Sequence, residues 1–247
     1  MNTQAPQRIA LVTGGSRGIG AAIARRLARD GHAVGINYAS SSAEAEALVQ
    51  EIRQAGGRAT AVRADVSRAD EVRAMFGEVE AELGRVDVLV NSAGILEIKP
   101  LAETSDELFD RTFAINTRGT FNTLREASAR LADGGAIVNV SSTTVALNLP
   151  GYSVYIASKA AVESLTQVYA KELRGRRITV NAVAPGPVAT ELFMKGKSAE
   201  LIEHYAKMPP LERLGQPEDI SGVVSFLAGP DAGWVNGQVL RANGGIA

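Results

Sequence analysis

The sequence predicts a single-domain α/β structure, a doubly wound parallel sheet of seven strands with helices on both faces. Three observations lead there. Short β-branched runs alternate with longer stretches rich in Ala, Glu and Arg along the chain. The runs are continuously apolar rather than alternating, the pattern of strands covered on both sides. A glycine cluster directly follows the first run, where such a strand hands over to a helix.

Ile9-Ala10-Leu11-Val12 reads as the first strand, and residues 21–30 as a helix ending at Gly31. Residues 33–37 form the second strand, and 43–55 a helix stopped by Gly56-Gly57. The third strand is 59–63, followed by a helix over 69–83 that Gly84 ends. Glycine stops helices because it takes the left-handed backbone conformation that closes their last turn. Strands at 86–90 and 136–140 flank a helical stretch around 105–131. A long helix over 155–174 and strands at 178–183 and 238–242 complete the set. Right-handed crossovers make this order doubly wound. No linker, repeat or low-complexity segment divides the 247 residues, so 1–247 reads as one domain. Residues 191–210, with Gly196, Pro209 and Pro210, carry Leu192, Phe193 and Met194 between the sixth strand and the last helix. They are expected to form a mobile lid, within a segment spanning about 188–210.

Composition removes whole classes of function. Lys and Arg number 26 against 27 Asp and Glu, a net charge of −1, so nothing drives the chain toward nucleic acid or an anionic membrane. There is no cysteine, which excludes disulfides, thiolate zinc sites and a cysteine nucleophile. The only histidines are His32 and His204, and no metal site is expected. Residues 1–7 are polar and lack the apolar core of a signal peptide. No apolar run approaches the roughly 18 residues of a membrane helix. A cytoplasmic protein is expected.

Thr13-Gly14-Gly15-Ser16-Arg17-Gly18-Ile19-Gly20 opens the first helix. Glycine reaches backbone angles closed to other residues and lets a phosphate approach the main chain. The helix N-terminus behind it offers free N–H groups and the positive end of a dipole to a pyrophosphate. The glycines stand at 14, 18 and 20, a spacing other than G-x-G-x-x-G; a tight turn without ligand is the plainer alternative. Gly14-Gly15-Ser16-Arg17-Gly18 also fits the G-x-S-x-G of hydrolases. That chemistry needs a later histidine, and only His204, inside the lid segment, follows at a usable place. No Gly-Lys-Ser/Thr follows, which excludes a Walker loop.

A site preferring NAD places Asp or Glu about 20 residues on, to hold the ribose 2′-hydroxyl. Here the second strand ends Ile36-Asn37-Tyr38-Ala39-Ser40-Ser41-Ser42, with no acid between Gly31 and Ala43. Arg17 can pair with a 2′-phosphate, with Ser40 and Ser41 as hydroxyl donors; its bland alternative is a solvated surface charge. The missing carboxylate counts as much as the arginine. NADP(H) is therefore expected over NAD(H).

Tyr155-Ile156-Ala157-Ser158-Lys159 puts a phenol and an ammonium on one helix face, four residues apart. A free tyrosine has a pKa near about 10. A nearby cation favours the phenolate and makes tyrosine a usable acid or base. Alone, the pair reads as a surface pair. Ser142 changes that, because it follows the fifth strand and emerges at the carboxyl edge, where ligands of doubly wound sheets bind. Asn91-Ser92-Ala93-Gly94 ends the fourth strand at that edge, and Pro185-Gly186 the sixth. Asn116 is a polar residue on an otherwise apolar helix face.

These motifs, in order and at this spacing, resemble the Rossmann-type short-chain dehydrogenase/reductase family from Arg8 to Gly245. The one departure is Ser92, where members commonly carry a second Asn. The resemblance implies that Tyr155 passes a proton to or from the substrate oxygen. It implies that Lys159 binds the nicotinamide ribose and lowers the Tyr155 pKa, and that Ser142 orients the substrate. Asn116 would hold a water linking Lys159 to solvent. Asp65 and Val66 would hold the adenine, although Asp65 can also simply cap the next helix. Asn91, Ser92, Ala93 and Gly94 would line the cofactor, as would Gly14, Ser16, Gly18, Ile19, Gly20, Asn37, Tyr38 and Ala39. Pro185 and Gly186 belong to the same set, and Val188 and Thr190 would contact its carboxamide or phosphates.

Leu96, Leu147, Leu149, Tyr152, Phe193 and Met194 are the candidate walls of an apolar substrate pocket, suited to a small ketone or secondary alcohol. The chain looks similar to the 3-oxoacyl-(acyl-carrier-protein) reductases, which keeps a carrier-borne substrate as the alternative. Such enzymes tend to carry basic residues before the fifth strand. Here Asp133-Gly134-Gly135-Ala136 stands there, and only Arg176 and Arg177, before the sixth strand, keep the carrier protein in play. A dinucleotide-binding regulator without turnover would be expected to lose Tyr155 or Lys159, and both are present. The helix over 155–174 and the Ala/Gly-rich C-terminus resemble the family's two subunit interfaces, so a homotetramer is expected.

Overall fold

The computed structural model describes residues 7–247; residues 1–6, most of the polar N-terminal stretch, lie outside the described residues. Strands β1 (Ile9–Thr13), β2 (Ala33–Tyr38) and β3 (Ala59–Arg63) alternate with helices α1 (Gly18–Arg29), α2 (Ser42–Gln54) and α3 (Ala69–Glu82). Strand β4 (Val88–Asn91) leads to α4 (Asp106–Thr112), a π-helical turn at Phe113–Arg118, and α5 (Gly119–Arg130). Then come β5 (Ala136–Val140), the short α6 (Thr144–Leu147), α7 (Ser153–Glu172) and β6 (Thr179–Pro185). The chain closes with α8 (Glu191–Met194), α9 (Ala199–Lys207), α10 (Pro217–Ala228) and β7 (Val239–Ala242).

The strands form one parallel sheet in the order β3-β2-β1-β4-β5-β6-β7, as the sequence predicts. The order reverses between β1 and β4, where Thr13 pairs with Asn91 at the carboxyl edge. This switch point opens the crevice in which such sheets bind ligands. The inner strands read as apolar runs because both faces are buried. Ala10 and Val12 pack with Ile23, Leu27 and Ile220 of α1 and α10. Leu11 faces the opposite way, toward Phe76 of α3 and Leu124 of α5. Each such large side chain contributes about 1.5–3 kcal/mol by leaving water.

One segment differs from expectation. The helix predicted around 105–131 is broken by the π turn, which carries the wholly buried Asn116. A π turn holds one extra residue, so it shifts which side chains face inward and often marks a functional site. The segment read as a lid is not irregular. Thr190 Oγ1 accepts from Phe193 N (3.2 Å) and Ser198 Oγ from Leu201 N (3.3 Å), starting α8 and α9 with side-chain caps. Among the described residues no helix is long and apolar enough to cross a membrane, and no cluster of three or more His, Asp or Glu could hold a metal.

Candidate active site

At the β1 end the chain turns on glycines because nothing else fits. Gly14 has φ +59°, and a Cβ there would lie 2.7 Å from Ala93 Cα. A Cβ on Gly20 would lie 2.1 Å from the Gly14 carbonyl oxygen. The turn is braced from the neighbouring strands. Gly15 N donates to the Asn37 carbonyl (2.8 Å) and Gly14 N to Asn37 Oδ1 (3.2 Å). Asn37 Nδ2 in turn donates to the Ala64 carbonyl (3.0 Å). Ser92 N and Ala93 N both donate to Thr13 Oγ1, at 3.1 and 3.2 Å. The first turn of α1 leaves its N–H groups facing a cavity of about 450 Å³.

One wall of that cavity is this turn, with Ser16, Arg17, Gly18 and Ile19; the next is the end of β2, with Tyr38, Ala39, Ser40 and Ser41. Asp65, Val66, Ser92, Ala93, Gly94, Pro185, Gly186, Val188 and Thr190 also line it, as expected. Asp65 Oδ1 accepts from Ser67 N (2.9 Å), so it holds the turn before α3 as well as facing the cavity. No carboxylate stands on the β2 wall. Arg17 is exposed on the rim, 3.7 Å from Glu191 at the start of α8.

The same cavity reaches Ser142, Tyr155 and Lys159, so the structure brings the three together. Ser142 Oγ accepts from Thr144 Oγ1 (2.9 Å) and Thr144 N (3.3 Å), which leaves its own proton for the Tyr155 side of the cavity. Lys159 is buried, with Nζ 5.9 Å from the centre of the Tyr155 ring and donating to the Val140 carbonyl (2.8 Å). Burial without a counter-charge pushes the Lys159 ammonium down to about 8. Burial pushes the Tyr155 phenol up, and hydrogen bonding with Ser142 acts in the opposite direction. In the protein alone desolvation is the larger of these two effects.

Three expected residues are placed differently. Asn91 is buried beneath the cavity, donating to Asn139 Oδ1 (2.8 Å) and accepting from Thr123 Oγ1 (2.7 Å). Asn116 does not reach the cavity surface. Its Oδ1 accepts from Ile95 N (2.9 Å), and its Nδ2 donates to the Ile95 carbonyl and Ser158 Oγ, both at 3.0 Å. Both ends of its amide are thus spent on holding the β4 loop against α7. Met194 points away and is 38% exposed, whereas Leu192, Phe193, Tyr205 and Met208 supply the lid wall. Leu96, Leu147, Leu149 and Tyr152 line the cavity as expected, with Ile95 and Ile246 added. His204 is exposed and faces no serine across the cavity, so no hydrolase triad forms. Tyr205 was missed, yet Ile202, Tyr205 and Ala206 share the i, i+3, i+4 spacing of an inward helix face behind the Ser198 cap.

Relatives agree with this geometry. The profile of a family described as enoyl-(acyl carrier protein) reductase matches residues 14–247. An NADPH-dependent aldehyde reductase-like chloroplastic protein of Arabidopsis thaliana is 47% identical, over 96% of this chain and 93% of its own. The 3-oxoacyl-(acyl-carrier-protein) reductase FabG of Staphylococcus aureus is 44% identical, over 96% and 97%. A solved short-chain dehydrogenase of Burkholderia cenocepacia in complex with NADP is 38% identical, with a TM-score of 0.91 and 97% of both chains covered. With a matched fold, a matched sequence over nearly its whole length and a tyrosine–lysine–serine group in one cavity, the chain belongs to the short-chain dehydrogenase/reductase family of oxidoreductases.

Proposed function

We propose that this chain transfers a hydride between NADP(H) and a small neutral ketone or its secondary alcohol. The observation that carries the reading is one cavity running from the glycine turn to Ser142, Tyr155 and Lys159. The residues present fit NADP(H). The start of α1 at Gly18 faces the cavity with free N–H groups for a pyrophosphate, and no acid on the β2 wall repels a 2′-phosphate. Arg17 stands on the rim, and Arg63 Nε donates to the Ala39 carbonyl (3.3 Å) beside Ser40 and Ser41. When bound, the cofactor supplies or accepts the hydride. In reduction, Tyr155 gives its hydroxyl proton to the substrate oxygen, and burial keeps that proton in place at neutral pH. Ser142 donates its unused proton to the same oxygen and fixes the carbonyl. Lys159 spends one proton on Val140 and keeps two for ribose hydroxyls and the Tyr155 side. Asn116 supports this group from behind by tying Ser158 to Ile95.

The surface favours a free small carbonyl over a carrier-borne thioester. Arg176 is engaged with Asp133 (2.8 Å) and with main-chain carbonyls, and Arg130 with Glu80 (2.7 Å). Neither is left to meet an acidic carrier, whereas Arg177, exposed and without a partner among the described residues, is. A homotetramer goes with the reading, because Phe121 and Val168 lie exposed on the α5–α7 face, and Phe226 and the 99% exposed Trp234 near β7. Light scattering is expected to give four copies at micromolar concentration; a monomer removes this part. The reaction is tested by NADPH consumption across ketones, acetoacetyl thioesters and sugars. Ketones are expected to turn over best; turnover confined to carrier thioesters would replace the substrate assignment.

A further inference from the structure

Two phenols on the substrate side have no part in that chemistry. Tyr152 stands just before Tyr155 on the chain, with the rings edge-on and their centroids 6.4 Å apart. Tyr152 is 6% exposed, and its hydroxyl faces that of Tyr205 on α9 at 3.3 Å. That separation is long for O–H···O, which clusters near about 2.7–2.8 Å. Two phenols bring two protons, and a bond between them uses one. Neither hydroxyl has another partner among the described residues, so a donor is left over inside the cavity wall. Burial pushes the Tyr152 phenol well above its ordinary range, so it stays a donor at every working pH.

The surroundings define what can accept that proton. Phe193 packs edge-on against Tyr205 at 5.3 Å, and Leu96, Leu147 and Met208 complete the apolar wall. The charged residues lining the cavity are Arg17, Asp65, Lys159 and Glu191; all belong to the nucleotide end, the catalytic floor or the rim. An anionic or strongly hydrated substrate would lose its water here without a partner. From this arrangement, and resting on the reaction proposed above, we infer that Tyr152 and Tyr205 form a second recognition point for an acceptor oxygen remote from the reacting carbonyl. The substrate is then a neutral, largely apolar hydroxyketone or diketone.

A matched pair of ketones, 1-tetralone and 4-hydroxy-1-tetralone, tests this with NADPH as reductant. The wild-type protein is expected to favour the hydroxylated ketone at least tenfold in kcat/KM, mainly through KM. In Tyr152→Phe/Tyr205→Phe that ratio is expected to fall at least fivefold, and in the single variant Tyr205→Phe by a smaller factor. An unchanged ratio, or no preference in the wild type, overturns the inference. Calorimetric titration of the NADP-loaded protein with the two ketones reads the same ratio as Kd without needing turnover. Loss of the Kd preference in the double variant supports the subsite even if neither ketone is reduced, an outcome that counts against the proposed reaction alone.

Discussion

The two ends of the cavity are held by different means. At the nucleotide end main-chain N–H groups are pinned by two buried polar residues: Gly15 N on the Asn37 carbonyl, Gly14 N on the Asn37 side-chain oxygen, and Ser92 N and Ala93 N on the Thr13 hydroxyl. At the lid end, side chains do it, through the Tyr152–Tyr205 contact, the Phe193–Tyr205 rings and Lys197 lying 4.5 Å over the Phe193 ring. The tie between the ends is Arg17–Glu191, whose side chains are 64% and 79% exposed. Exposed pairs of this kind are worth little. One end is therefore set before any ligand arrives, and the other can adjust to it. The lesson is that the nucleotide end is main chain fixed by the buried Thr13 and Asn37 side chains, while the lid end is formed by side chains in contact with one another.

Four substitutions probe that division. Tyr155→Phe, where the ends meet, is expected to lower kcat by about 10²–10⁴ while NADPH binding, followed by fluorescence titration, persists. Retained turnover would remove the acid–base role. Gly14→Ala at the rigid end adds a Cβ against Ala93 to an unfavourable φ, and should cost on the order of 3 kcal/mol in urea unfolding. Gly196→Ala near the lid has φ +73° but no atom within 4 Å, and should cost only about 1 kcal/mol. Equal costs would show that the nucleotide end is no stiffer. Arg17→Ala should raise KM for NADPH about tenfold, the loss of one charge-assisted contact, and leave NADH within about twofold. An equal effect on both would return Arg17 to the solvated surface.

A further test is a matter of pH. His32, on the turn between α1 and β2, is held neutral by burial, its Nδ1 on the Leu27 carbonyl (3.1 Å) and its Nε2 without a partner among the described residues. Its folded pKa lies below the unfolded value near about 6.5, so the unfolded chain takes up the proton first. The stability this contributes is complete above that pH and is lost as pH falls toward the folded pKa. His32→Phe should flatten stability below about pH 6.5, measured by urea unfolding. A slope that survives the substitution would place the acid sensitivity elsewhere.

The five inner strands were readable because each is buried on both faces and leaves an apolar run, whereas β3 and β7 at the sheet edges are only partly buried and carry Arg63 and Arg241. The glycine turn was readable for the same reason that Gly14 and Gly20 cannot change: a side chain would collide with backbone. The π turn left no trace, because its single extra residue barely disturbs a helical period over a stretch as short as Phe113–Arg118. Asn91 and Asn116 were seen as polar residues at the right edge, but sequence cannot say whether an amide faces a ligand or its own main chain. The lid wall was half readable. Phe193 was found and Met194 misplaced, since a helix of four residues is too short to show which side faces inward.

The amides beneath the cavity have a consequence for how the molecule assembles. Thr123 of α5 bonds Asn91 of β4, which bonds Asn139 of β5, which bonds Thr166 of α7 at 2.8 Å. Oily contacts tolerate a helix seated one turn out of place, but this polar ladder does not, because any such slip strands several dry amide and hydroxyl groups at once. The ladder therefore works as a proofreading device during folding, rejecting misregistered dockings of the helix that bears Tyr155 and Lys159. It also ties the fates of four positions, so that lineages are expected to change them together or leave them alone.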